Sequence, residues 1–286
     1  MTNIITTDIN ELINKRDIDS LEQYYLTQEQ VECPVYHRFG PGIYIREVHI
    51  PSGTFAIGHH QKYEHVNIIL KGRVTMLNLD GSTLELSAPY FYIGQPGQKM
   101  GYIHEDIVWQ NIYATEERDI EKLEAYYLYK SDNWVKSKEL QDKMNWLSHE
   151  GDRKDYIEML AEIGCTEDIA REQTENTDDQ IYIPMDNYKI KLADSHISGI
   201  GLFATATIEA NEVIAPARID NMRTFAGRYT NHSINPNAMM RINNNGDIEL
   251  VAIKRVKGCY GGYDGDEITI DYRQSISLVK EMPCQQ

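Results

Sequence analysis

Arg228-Tyr229-Thr230-Asn231-His232-Ser233-Ile234-Asn235-Pro236-Asn237 and, further on, Gly265-Asp266-Glu267-Ile268-Thr269-Ile270-Asp271-Tyr272 are the stretches that decide the reading of the C-terminal third. The first is dense in turn-forming and hydrogen-bonding side chains and, alone, reads as an elaborate polar turn. The second reads as a turn feeding a short strand that ends in a tyrosine, ordinarily a packing residue with its hydroxyl at the surface. A third stretch precedes both, Ser198-Gly199-Ile200-Gly201-Leu202-Phe203-Ala204. Its glycines let the backbone bend tightly and approach a ligand without Cβ obstruction, or simply turn between two strands.

Outward from these stretches, residues 181–273 read as short strands, and TENTDDQ (174–180) reads as a linker. Residues 131–186 carry 6 basic and 15 acidic side chains and show helical periodicity through Trp134, Leu140, Met144, Leu147, Tyr156, Met159, Leu160 and Ile163. This predicts an acidic, solvated helical connector. From Gly40 to Tyr129 the pattern is again short β-rich runs separated by Gly, Pro and Asp80-Gly81 turns, which indicates a sandwich or barrel. Residues 8–30 read as helical, with Asp8 as cap, Glu11 three residues on, and Leu12, Ile13 and Leu21 as a partial stripe. The predicted layout is a helical segment (1–39), a β domain (40–130), the connector (131–186) and a second β domain with a short tail (187–286).

At 286 residues the chain has room for one large or two ordinary domains. A net charge of −16 sets a field that repels nucleic acid and suits a basic, lysine-bearing partner. Cys33, Cys165, Cys259 and Cys284 show no CxxC spacing, so neither a disulfide frame nor a thiolate zinc site is expected. The opening MTNIITTDINEL lacks a basic region followed by an apolar core, and no apolar run approaches a membrane span. The expectation is a cytoplasmic protein (host cytoplasm if viral), neither secreted nor membrane-bound.

In order and spacing, the three C-terminal stretches resemble the SET domain of protein-lysine methyltransferases over about residues 187–273. The resemblance implies a minimal SET (β-clip) domain with a small threaded core. It implies that the backbone around Gly199, Ile200, Gly201 and Phe203 contacts S-adenosylmethionine. Asn231 would hold the cofactor's amino-acid end, His232 would meet the adenine through its backbone, and Tyr272 would be the active-site tyrosine. Asp194, Arg228 and Asp271 are read as structural. The chain departs from the family in the short stretch between Ile214 and Arg228 and in lacking a cysteine-rich segment after Tyr272. The substrate groove would then come from the acidic connector, the tail or a second subunit. Ile270, where family members often carry Phe or Tyr, implies room for higher methylation.

In the first β domain, Gly53 to Gly72 contains His59, His60, Glu64 and His65. Histidines with a carboxylate on adjacent strands suit Zn, Fe, Mn or Ni, and equally a hairpin with a polar mouth. The stretch resembles the first motif of the cupin family, a jelly-roll barrel. Anchored on Gly72, His60 falls on the second histidine slot, His65 on the glutamate slot and Gly58 on the first histidine slot. Gln95-Pro96-Gly97 resembles the second motif, whose histidine slot lands near Lys99, with His104 five residues on. The resemblance implies His60 and His65 as ligands of a divalent metal, completed by Glu64, His59 or His104.

The expected fold class is therefore mainly β with a helical connector. The leading functional expectation is an S-adenosylmethionine-dependent protein-lysine N-methyltransferase. Its cupin-like domain would dock a partner, a host or viral protein, or form a homo-oligomer. The alternative is a non-catalytic binding or assembly protein, such as a virion component, that retains both folds. A third reading is a metal-dependent oxygenase or isomerase in the first domain. The pairing of a compact cupin-like module with a minimal SET domain resembles the style of a bacteriophage protein.

Overall fold

The computed structural model describes residues 18–78 and 80–278, and divides the chain into two compact units. Unit 1 is Met1–Gln141 with Cys259–Tyr263; unit 2 is Asp142–Gly258 with Asp264–Gln286. Asp8, Glu11, Leu12, Ile13 and Cys284 lie outside the described residues. Unit 1 is built mainly from strands, as the short alternating runs predict, whereas unit 2 joins short strands to helices of similar extent.

Unit 1 opens with α1 (Ile18–Leu26), whose Leu21 is fully buried. Strands β1 (Val35–Gly40), β2 (Ile43–Ile50), β3 (Phe55–Ile57), β4 (His60–Gln61), β5 (His65–Leu77), β6 (Thr83–Ser87), β7 (Tyr90–Gly94) and β8 (Met100–Ala114) follow. Helix α2 (Ile120–Tyr127), capped by the Asp119 side chain on Lys122 N–H, leads into β9 (Leu128–Tyr129). Seven strands form one antiparallel sheet ordered β1-β2-β8-β5-β6, with β3 added on β8 and β7 on β5. The sequence predicts a barrel; among the described residues the ladder does not close.

The reason lies in the two long strands. β5 pairs with β8 along its length, with β7 through its first half and with β6 through its second. The register shifts around Lys71 and Arg73 bend it between the two sets of partners. Gly72 makes the bend feasible. Its φ is +87° and a β-carbon there would stand 2.4 Å from the Asp106 carbonyl oxygen, so only glycine fits. The sheet wraps two apolar clusters instead of sealing a ring. One is Ile69, Val74, Leu86, Ile103 and Ile107; the other is Tyr44, Tyr113 and Leu123.

Helix α3 (Asp132–Ser148) runs across the boundary in sequence between the units. Unit 2 continues with α4 (Glu150–Glu162) and α5 (Glu167–Glu175), the latter capped by Thr166. Its strands are β10 (Ile190–Asp194), β11 (Ile200–Ala204), β12 (Val213–Ile219), β13 (Met222–Arg223), β14 (Asn231–His232), β15 (Ala238–Ile242), β16 (Ile248–Ala252) and β17 (Thr269–Ile270). Two short helices, α6 (Phe225–Tyr229) and α7 (Tyr272–Ile276), sit before β14 and after β17. β10 and β11 form a hairpin, β13-β12-β16-β15 an antiparallel sheet, and β14 pairs in parallel with β17. The shared core includes Leu202, Ile208, Leu250, Val256, Ile268 and Ile270.

Residues 142–186 are more than a solvated connector. Met159, Leu160 and Cys165 form an apolar cluster against Tyr272 and Ile276 of the same unit. Cys165 is disulfide-bonded, against the expectation of no disulfide frame. Cys33 and Cys259 are not in a disulfide. Among the described residues no helix is long and apolar enough to cross a membrane.

Candidate functional site

In unit 2 the pairing of β14 with β17 sets Asn231 beside Thr269 and His232 beside Ile270. Local chemistry places both strands. Thr224 caps α6 by accepting from Ala226 and Gly227 N–H, and a β-carbon at Gly227 would stand 2.1 Å from the Ala217 carbonyl oxygen. That glycine lets α6 lie on β12 and deliver the chain into β14. Asp271 caps α7 by accepting from Arg273 N–H, so it orients the tyrosine that follows β17. Asn237 stitches the two segments together. Its amide donates to the Glu267 carbonyl at 2.7 Å and its side-chain oxygen accepts from Thr269 N–H at 2.9 Å.

The glycine loop closes on the same point. Asp194 pairs with Ile200 at the hairpin end, and Gly199 has φ +56°. Ser195 Oγ accepts from Ile197 and Ser198 N–H and donates to Glu267 Oε1 at 2.7 Å. A β-carbon at Gly201 would stand 2.4 Å from Glu267 Oε1, so this glycine admits the carboxylate. Asn231 Nδ2 lies within hydrogen-bond reach of four oxygens: Glu267 Oε1 (2.8 Å), Ser195 Oγ (2.9 Å), Ser198 O (3.1 Å) and Ile200 O (3.3 Å). An amide nitrogen carries two hydrogens, so the acceptors outnumber the protons offered. Such a cluster concentrates negative potential and suits a cation. Glu267 Oε2 is buried with no hydrogen-bond partner. Ile200 is exposed, whereas Phe203 is fully packed beneath, edge-on to His196.

His232 is held by both ring nitrogens. Tyr272 N–H donates to Nδ1 at 3.2 Å, so Nε2 carries the proton and donates to Asp155 Oδ2 at 2.7 Å. The imidazole side chain is 1% exposed. Arg273 clamps the same carboxylate at 2.7 Å, and hydrogen bonds from Arg273 and then His232 hold Asp155 below its ordinary pKa. Asp152 accepts from Ile234 N–H at 2.8 Å and pairs with His149 at 2.6 Å. Burial pushes the Asp152 pKa up, but the hydrogen bonds from His149 and Ile234 outweigh it and leave it lowered. The Tyr272 hydroxyl donates to the Thr230 carbonyl at 2.9 Å, and burial raises its pKa, so the phenol stays protonated. Tyr156 meets the Tyr272 ring edge-on, centroids 5.9 Å apart.

The structure thus brings Gly199, Ile200, Gly201, Asn231, His232 and Tyr272 into one neighbourhood. Sequence reading missed Ser195, Glu267 and the α4 residues Asp152, Asp155 and Tyr156. The signal for α4 was the apolar stripe of Tyr156, Met159, Leu160 and Ile163, which marks a packed face.

Unit 1 contrasts with this. The residues expected to bind metal are dispersed, each with a protein partner. Glu64 accepts from Gln95 at 2.6 Å, and His104 Nε2 bonds to Thr75 at 2.8 Å. His60 is exposed and edge-on to Tyr129. His65 Nδ1–H donates to the Tyr63 carbonyl, and its Nε2 lone pair faces Lys99 Nζ at 3.1 Å. Burial pulls His59 down to about 4, which leaves it neutral. Among the described residues no three His, Cys, Asp or Glu side chains gather as a metal site. The donor set does not fit a divalent ion, because the lone pair His65 would offer is directed at an ammonium. Among the described residues no third donor gathers with His60 and His65.

The same unit encloses a cavity of about 150 Å³. Burial pulls the pKa of Lys99, one of its lining residues, down to about 8.

No family model matches the chain, and no curated protein matches it. Similar solved structures include an ectoine synthase from P. lautus (12% identity, 37% of this chain and 85% of that one, TM-score 0.28). A cupin domain from Bordetella pertussis matches at 15% identity (31% and 98% covered, TM-score 0.26). A cupin-2 domain protein from Shewanella frigidimarina matches at 14% identity (36% and 98% covered, TM-score 0.24).

Proposed function

We propose that the chain is a protein-lysine N-methyltransferase of the SET type that uses S-adenosylmethionine, with a cupin-like unit 1 that docks a partner or assembles copies of the enzyme. The observation that carries this reading is the parallel pairing of β14 with β17, which gathers the glycine loop, Asn231 and Tyr272 around one point. When bound, S-adenosylmethionine supplies an activated methyl group on a sulfonium. Beside the Asn231 amide, the Ser198 and Ile200 carbonyls that it engages at 3.1 and 3.3 Å have a second lone pair each to offer the ammonium of the cofactor's amino-acid end.

The remaining work belongs to this chain's own residues. Methyl transfer asks chiefly for alignment of nitrogen, methyl and sulfur, so rigid positioning is the main contribution. Asp155 locks the His232 ring and thereby the strand beside the glycine loop. An apolar channel lowers the pKa of a substrate lysine from about 10.4, because burial disfavours the ammonium. Tyr272, protonated and anchored on Thr230, presents a fixed dipole to the incoming amine. The substrate is a lysine-bearing protein, of host or viral origin.

The second reading is a non-catalytic assembly protein. It is favoured by α4, which covers His232 and Tyr272 in unit 2, and by the engagement of the Tyr272 hydroxyl with Thr230. Calorimetric titration of the full chain with S-adenosylmethionine and S-adenosylhomocysteine separates the two. Saturable binding, weakened about 100-fold or more in Asn231→Ala, is expected from the loss of charge-assisted contacts. No binding up to millimolar ligand selects the assembly protein.

A further inference from the structure

We infer that the cavity of unit 1 is a metal-independent binding site for a small organic carboxylate with an apolar body, recognised by the Lys99 ammonium. The inference is independent of the methyl-transfer reading of unit 2.

Size comes first. A cavity of about 150 Å³ is roughly the volume that admits one benzene-sized molecule. Its wall is apolar over much of its area, through Val48, Ile50, Val74, Met100, Ile103 and Leu128. An apolar body of about six carbons fills such a space and is stabilised by the apolar area it removes from water.

Charge comes second. The lining holds two cations, Arg46 and Lys99, and no carboxylate. Arg46 is neutralised by Glu124 at 3.4 Å. Among the described residues Lys99 pairs with no carboxylate; its contacts are the His65 imidazole and, at 5.9 Å, the face of Tyr92. A cation at the wall of an apolar cavity with no counter-charge is electrostatically incomplete, and an anion completes it. A fully neutral or cationic ligand gains nothing from it.

Hydrogen-bond capacity comes third. The ammonium has three donors and His65 Nε2 takes one, so two remain for a carboxylate, which has acceptor capacity for both. Asn67 adds a donor beside it. Its side-chain oxygen is fixed by Trp109 Nε1–H and Asn111 Nδ2–H, both at 2.9 Å. That network orients Nδ2 away from those two partners, and its one bond, to the His65 carbonyl, is long at 3.4 Å. Asn67 and Lys99 both line the cavity, and their nitrogens are neighbours: a β-carbon added at Gly94 would stand 2.3 Å from Asn67 Nδ2 and 2.9 Å from Lys99 Nζ.

The test uses the full chain treated with a chelator. It titrates straight-chain monocarboxylates from acetate to heptanoate, and benzoate, each against its primary amide, by calorimetry. The expected result is saturable binding of at least one carboxylate of about six to nine heavy atoms, tenfold or more tighter than its amide, and unchanged by added Zn²⁺ or Fe²⁺. Lys99→Met is expected to remove that preference while the chain still unfolds cooperatively. Equal affinity for acid and amide overturns the proposal, as does an absence of binding at 10 mM or a requirement for metal. The acid-against-amide comparison on the unaltered chain decides the matter even if Lys99→Met does not fold.

Discussion

Unit 1 and unit 2 hold similar numbers of chemistry-bearing side chains and arrange them in opposite ways. In unit 2, residues from three separate stretches converge because two short strands pair in parallel and a helix is laid over them. In unit 1 the histidines lie close together in sequence, yet the sheet separates them. His60 stays exposed on β4, His65 turns to Lys99, and His104 turns to Thr75. Nearness in sequence therefore says little about a site. Packing between distant segments, by strand pairing or by a helix laid on the strands, says much more, because it brings side chains within bonding distance.

The sharpest test of the contrast is Tyr272→Phe. If unit 2 is a reaction centre, this variant keeps S-adenosylmethionine affinity in calorimetry and loses about 100-fold or more of lysine methylation, the range of a lost transition-state donor. Equal loss of both would make the tyrosine structural and erase the difference between the units.

Gly72→Ala probes the frame of unit 1. A β-carbon 2.4 Å from a carbonyl oxygen, on a residue with φ +87°, is expected to lower stability by about 2–4 kcal/mol in denaturant melts. Cofactor affinity in unit 2 is expected to persist in the fraction that remains folded. Unchanged stability would mean that the bend in β5 does not rely on glycine.

The smallest effect is acid sensitivity. Asp152 and Asp155 both titrate below their ordinary value of 3.8 in the folded chain. Their stabilising contribution is therefore complete above about that pH and is lost as pH falls through the lowered values. The protection factors of the β14 amides, which correct for the intrinsic pH dependence of exchange, should fall below about pH 4 in the unaltered chain. In Asp155→Asn protection should already be lower at pH 7, with a shallower further fall on acidification. An identical profile would remove Asp155 as the anchor of His232.

Much of unit 2 was legible. Asn231, His232 and Tyr272 stand out through the resemblance of their stretches to a SET domain; by pattern alone they read as a polar turn and a packing tyrosine. Asp271 was read as structural, and the short helix that it caps appears only in the structure. The α4 contribution was not legible, because an acidic helix looks the same whether its carboxylates are solvated or paired. Asp155 meets His232 across a separation of 77 residues, which no local period encodes.

The sequence by itself determined the strand-rich character of unit 1 and the short strands of unit 2, the turn and bend glycines, and the polar stretches that carry the chemistry. These are short-range properties, set by side-chain alternation, by glycine's access to positive φ and by hydrogen bonding within a few residues. Tertiary structure alone decided which groups meet: Glu267 with Asn231, Asp155 with His232, and Lys99 with His65 across 34 residues. It also decided that β5 and β8 bend an open sheet around a cavity. Such contacts depend on long-range packing, where one face of a strand finds a partner only after the whole chain has folded around it.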